Sequence, residues 1–122
     1  MINGINHVAL IVSKEESLDF YKKLGFVETS REYRPSKGDY LIMMENGTAV
    51  LEVFLREDAP KRLSDPEGYG CRHIAFDVDD VDEILDILKD YRCQQIRTTE
   101  TGRRFVFVTD MDDQPVEFLE KI

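Results

Sequence analysis

A chain of 122 residues, 42% hydrophobic and 34% charged, has the size and make-up of one globular domain. Its 16 basic and 25 acidic side chains leave a formal net charge of −9, a field that repels a phosphate backbone and excludes nucleic acid as the expected partner. No apolar run approaches the ~20 residues that cross a bilayer, no secretory signal opens "MINGINHVAL", and two cysteines, Cys71 and Cys93, are too few for a disulfide framework, so a reduced, cytoplasmic setting is expected.

In chain order, residues 5–12 (INHVALIV) form a short, β-branched apolar run and predict a buried strand. In "SKEESLDFYKKLGF", Ser13 and Glu16 have capping-box spacing, Leu18, Tyr21 and Leu24 follow at helical intervals, and Gly25 supplies the stop. Strands are predicted over 26–33, 39–45 and 48–56, the last two joined by a tight turn at "ENG". Residues 57–70, with two prolines, two glycines and many charges, read as a linker.

After the linker the pattern restarts. A strand is predicted over 72–78, where His73 would be buried, followed by a helix capped at Asp80 and Glu83 with Val81, Ile84, Leu85, Leu88 and Tyr91 on its apolar face. Further strands are predicted near 94–98, 103–109 and 115–121. Each half is therefore strand–helix–strand–strand–strand. Aligning "NHVALIV" with "RHIAFDV" gives an offset of 66 (His7 to His73), and aligning "VLEVFL" with "PVEFLE" gives 65 (Glu52 to Glu117). Two anchors that agree within one residue indicate an internal duplication. The expected architecture is α+β: one domain over 1–122, with a βαβββ module at about 1–57, a linker at about 58–70 and a second module at about 71–122.

The duplication places a histidine on the first strand of each half and a glutamate on the last. Alternation gives His7 the same face as Ala9, and His73 the same face as Cys71 and Ala75, leaving room beside each imidazole. Glu52 and Glu117 interrupt apolar strands, a costly position for a carboxylate unless it is paired or binds a metal. Two imidazoles and two carboxylates converging on one point would make a mixed N/O site for Ni²⁺, Co²⁺, Mn²⁺, Fe²⁺ or an expanded Zn²⁺ site, with positions left for substrate. Arginines suit anions. Arg56, Arg72 and Arg104 are the candidates on neighbouring strands, with Arg72 expected to face away from His73.

Through "INHVALIV…FYKKLGF", "LEVF", "GCRHIAFDVDDVDEILDIL" and "TGRRFVFVTDMDDQPVEFLE", the whole chain resembles the vicinal oxygen chelate superfamily, in particular its glyoxalase I-like metalloproteins. That resemblance implies paired βαβββ modules whose cupped mixed sheet surrounds a divalent metal, with His7, Glu52, His73 and Glu117 as ligands. Ni, Co or Zn is implied first, and Mn or Fe second. It also implies a homodimer and a lyase of the lactoylglutathione lyase type. Such an enzyme isomerises a 2-oxoaldehyde–thiol hemithioacetal, as in methylglyoxal detoxification, by proton transfer through a metal-stabilised enediolate. Glu117 is the first choice of base and Glu52 its partner. The alternatives are another metalloenzyme of the superfamily (dioxygenase, epimerase or thiol transferase) or a non-catalytic binding module. Where many relatives have "DPDG" before the last strand, this chain has "DMDD" at 110–113.

Overall fold

The computed structural model describes residues 1–121, which divide into two compact units, Met1–Pro60 and the residues from Lys61 onward. The first unit runs β1 (Val8–Val12), a 3-10 turn (Glu15–Leu18), α1 (Asp19–Lys23), β2 (Val27–Arg34), β3 (Asp39–Glu45) and β4 (Val50–Leu55). Its sheet has the order β1-β4-β3-β2, with β1 parallel to β4 and the other pairs antiparallel. Alternation sends Leu10 and Val12 of β1, Ile42 and Met44 of β3, and Leu51 and Val53 of β4 to a buried face. Leu18, Phe20 and Tyr21 from the helical segment are fully buried as well, with Tyr21 edge-on to Phe20 and Phe26. Each such aliphatic or aromatic side chain contributes roughly 1.5–3 kcal/mol by leaving water.

The helical segment opens differently from the capping-box expectation. Lys14 occupies the cap position without a side-chain cap, and the first turn is 3-10 rather than α. Gly25 does stop the helix, at φ 92°, in the left-handed region that glycine enters without a steric penalty. The "ENG" turn also forms, with Asn46 Oδ1 accepting from the backbone N–H groups of Thr48 and Ala49.

The second unit runs β5 (Ile74–Val78), α2 (Val81–Ile87), β6 (Arg92–Cys93), β7 (Arg97–Thr98), β8 (Arg104–Thr109) and β9 (Pro115–Glu120). Its sheet has the order β5-β9-β8-β6, with β7 also on β8 and β5 parallel to β9. Val106 and Val108 of β8, Val116 and Phe118 of β9, and Val81 and Leu88 at the ends of α2 are buried. Asp80 caps α2 as expected, accepting from the Asp82 N–H at 2.8 Å.

The strand predicted over 94–98 is two short pieces instead. Cys93 pairs with Val108 but Arg97 pairs with Phe105, so one extra residue is accommodated between them as a bulge. The first unit slips by one residue at Thr29, between Glu28 and Ser30. An offset of 66 from Thr29 falls on Gln95, inside the second bulge, so the duplication extends to this irregularity. The segment read as a linker is not a plain spacer. All of it from Lys61 onward belongs to the second unit, where Arg62 donates to the carbonyls of Cys71 and Arg72 and to Gln114 Oε1.

Candidate functional site

Both units use one register to build the same pair. Ala9 is the Cα partner of Glu52 across β1 and β4, and Ala75 is the Cα partner of Glu117 across β5 and β9. In each case the histidine lies two residues before the alanine, just ahead of the strand, and its ring reaches the glutamate over the small methyl group. His7 Nε2 lies 3.7 Å from Glu52 Oε1, and His73 Nε2 lies 3.1 Å from Glu117 Oε1. Neither histidine is a core residue: the side chains are 38% and 26% exposed, and Ala9 and Ala75 are exposed beside them. The expected burial of His73 fails because it belongs to the sheet's open face, opposite the one covered by the helix.

The difference in distance has a physical cause in the other ring nitrogen. His7 Nδ1 lies 2.8 Å from Asn6 Oδ1, an oxygen that can only accept, so Nδ1 carries a proton and, in the neutral ring, Nε2 presents a lone pair toward Glu52. A lone pair facing a carboxylate keeps its distance. At His73 the arrangement is reversed. Arg72 Nη1, which can only donate, lies 3.0 Å from Nδ1, so the proton sits on Nε2 and is donated to Glu117. Arg72 was expected to face away from His73. Strand pairing begins only at Ile74, so alternation does not govern residues 71–73, and Arg72 reaches the ring. Phe107, the partner of Glu117 on β8, packs edge-on against His73 with ring centroids 4.9 Å apart. Met43 is the partner of Glu52 in the first unit.

The other arginine candidates are engaged elsewhere. Arg104 lies on the same side of β8 as the buried Val106 and Val108, opposite the face of Phe107 and Glu117. It grips both carboxylate oxygens of Glu120 at 3.1 and 2.7 Å and reaches Asp82 at 3.0 Å. The Glu120 carboxylate, held by Arg104 and then by the Val81 N–H, lies below the ordinary range. Arg56 follows Glu52 and Phe54 on one face, as expected, but its Nε is buried 3.5 Å from Asp39 Oδ2 and makes no hydrogen bond. Asp39 itself is bound by Arg34 at 2.7 and 2.8 Å, which holds its carboxyl below the ordinary value. Arg34 also stacks on Phe54 at 4.6 Å. Cys71 is exposed.

By spacing, each pair fits two ligands of a divalent ion, His73 once its proton is on Nδ1. Two ligands about 2.1 Å from an ion and at right angles lie about 3.0 Å apart, close to the 3.1 Å of His73 and Glu117. The His7–Glu52 separation corresponds to a wider angle or a small inward shift. Among the described residues no cluster of three or more His, Cys, Asp or Glu side chains is present, so the four candidate ligands stand as two pairs. No helix among the described residues is long and apolar enough to cross a membrane.

The family model of the Glyoxalase/Bleomycin resistance protein/Dioxygenase superfamily matches residues 4–118. The chain belongs to this superfamily. It is 39% identical to the uncharacterized protein YwkD of Bacillus subtilis, with 99% of each chain covered. A solved glyoxalase family protein from Enterococcus faecalis superposes with a TM-score of 0.88 at 32% identity, covering 97% of this chain and 98% of the other. The fold is shared with lactoylglutathione lyase from Agrobacterium tumefaciens (TM-score 0.71, 21% identity, 98% and 94% covered). It is also shared with a variant of the fosfomycin resistance protein FosX from Listeria monocytogenes solved with Mn(II) (TM-score 0.73, 18% identity, 97% and 90% covered). The βαβββ modules anticipated from the duplication are those of a superfamily fold.

Sequence reasoning missed Asn6, Phe107, Arg62 and Arg97 around the candidate site. Asn6 had a signal, since it immediately precedes His7, whereas Arg62 lay in a segment read as a spacer.

Proposed function

We propose that this protein is a metal-dependent lyase of the glyoxalase type that isomerises a 2-oxoaldehyde–thiol hemithioacetal, with His7, Glu52, His73 and Glu117 as the metal ligands. The observation that carries this reading is the repeated register, Ala9 on Glu52 and Ala75 on Glu117, which puts an imidazole Nε2 beside a carboxylate on an open face in both units. A bound divalent ion (Ni, Co or Zn first, with Mn named for the FosX variant) would polarise two adjacent substrate oxygens and lower the cost of removing the proton between them.

Glu117 is assigned as the base. It removes the C–H proton from the carbon bearing the thiol and returns it to the neighbouring carbonyl carbon, while the hydroxyl proton passes to the other oxygen, so the thioester product is an isomer of the substrate. Phe107 and the imidazole of His73 wall this carboxylate, which is 17% exposed, and limit competing water. Glu52 is the second carboxylate in the same role on the other ligand pair. Release of the product requires no net proton, and a homodimer is the expected assembly of the active protein.

The test is metal analysis of the purified protein, followed by assay of methylglyoxal–thiol hemithioacetals with Ni²⁺, Co²⁺ and Zn²⁺. Turnover that depends on metal and is lost in Glu117→Gln supports the assignment. Absence of bound metal, together with unchanged metal affinity in Glu52→Gln, would overturn it. Metal binding without isomerisation would direct attention to another metal-dependent reaction of the superfamily, the second reading.

A further inference from the structure

The second unit contains a cavity of about 390 Å³ whose wall includes Arg62, Arg72, Arg92 and Arg97 together with Phe107. Four guanidiniums in one cavity are unexpected in a chain of net charge −9. Their partners make the case sharper. Of the nine arginines in the sequence, seven have a carboxylate within 4.0 Å. The two without one among the described residues, Arg62 and Arg97, both line this cavity.

Each of these two is held in place by neutral groups. Arg62 is half-buried and donates to the carbonyls of Cys71 (3.3 Å) and Arg72 (2.7 Å) and to Gln114 Oε1 (3.2 Å). Arg97 stacks on Phe105 at 5.0 Å and Phe107 at 5.8 Å, and its only polar contact among the described residues is Gln94 Oε1 at 3.5 Å. The carboxylates on the cavity wall, Glu67 and Asp113, are taken by Arg72 and Arg92. Two oriented guanidiniums with uncompensated charge, braced by carbonyls and aromatic faces, are a preorganised receptor for an oxyanion.

The cavity also shares its wall with the candidate site. Phe107 pairs with Glu117 and packs on His73, and Arg72 touches His73 Nδ1. We propose that Arg62 and Arg97 form a subsite for an acidic group on the substrate, so that the molecule transformed at His73–Glu117 is a small organic acid bearing a carboxylate or phosphoryl oxyanion. A volume of this size suits a small metabolite rather than a polymer, and the overall negative field excludes a nucleic-acid phosphate. The proposal rests on the lyase reading only for what happens at the reacting end; anion capture stands on the arginines alone.

The test is therefore made without metal. The full chain, ¹⁵N-labelled and kept in chelator, is titrated with pyruvate, with methylphosphonate and with neutral acetamide, while the arginine Nε–H signals are followed. Saturable shifts of Arg62 and Arg97 with pyruvate or with methylphosphonate, and none with acetamide, are expected, and the tighter probe identifies the acidic group. Losing one charge-assisted contact should weaken binding by roughly tenfold in Arg97→Gln. Arg31→Gln, which removes an arginine already held by Glu15 and Glu28 in the first unit, should leave binding unchanged. Arg97 is exposed, so its variant is not expected to unfold even if Arg62→Gln does. Non-saturating shifts with both anions, or equal affinity in Arg97→Gln and the parent, would overturn the subsite. Because no metal is present, that failure is distinct from failure of the lyase reading.

Discussion

The two His–Glu pairs are copies in backbone and opposites in hydrogen bonding. Identical register brings each imidazole to its carboxylate, yet in the neutral rings Asn6 leaves His7 with a lone pair on Nε2, whereas Arg72 leaves His73 with a proton there. A cation needs the lone pair. For the proposed metal site, the neutral ring of His7 would already present it, while His73 would have to move its proton to Nδ1 and release Arg72 first. A duplicated scaffold thus fixes position, and the residue just before each histidine sets chemical state.

The largest effect that would break this comparison lies in the carboxylates. Glu117→Gln should lower kcat by about 10²–10⁴, and Glu52→Gln should lower it less when both variants are assayed at saturating metal. Equal losses would remove the distinction between the two. Next come the residues that set the tautomers, with effects of opposite sign. Asn6→Ala should weaken metal binding by about tenfold, and Arg72→Gln should strengthen it by a similar factor, as read by competition with a chromophoric chelator. Long-range ¹H–¹⁵N spectra of the metal-free protein should show the Nδ1–H form of His7 and the Nε2–H form of His73, with only the latter changing in Arg72→Gln.

Acid titration compares the two units through their ion pairs. Asp39, held by Arg34, and Glu120, held by Arg104, both have depressed carboxyl values. Each therefore contributes stability that is fully present above its ordinary value (3.8 and 4.5) and is lost as pH falls through the lower, folded one. Urea melts between about pH 5 and pH 2 should show a declining midpoint, with a shallower decline in Asp39→Asn and in Glu120→Gln. The smallest expected effect concerns the turn before β9. Asp113 adopts φ 66°, in the left-handed region that glycine enters freely, and Asp113→Gly should raise stability by about 0.5–1 kcal/mol in thermal melts.

Much of this molecule was legible in the sequence because its signals are local. The strand–helix opening of each half and the cap at Asp80 follow local patterns, and the repeated His and Glu marked four residues expected to meet at one point, which stand as two pairs among the described residues. Three features were not legible. The bulge at 94–97 depends on pairing with β8, which no local pattern encodes. Arg72 escaped alternation because pairing starts two residues after it. The significance of Arg62 and Arg97 lies in what the other seven arginines do, and the carboxylate partners of those arginines, up to 26 residues away as for Asp77 and Arg103, are set by the fold.

Arg62 has one more consequence, for where this chain can be cut. Sequence composition would end the first half near residue 57 and begin the second near 71, discarding the segment between as a tether. Because that arginine grasps the carbonyls of Cys71 and Arg72, the second half carries its own leading strap. A split-protein experiment or a circular permutation should open the chain at Pro60–Lys61, where the compact units divide, and keep residues 61–70 attached to the second half. Opening it at Gly70–Cys71 would leave the approach to His73 without its brace.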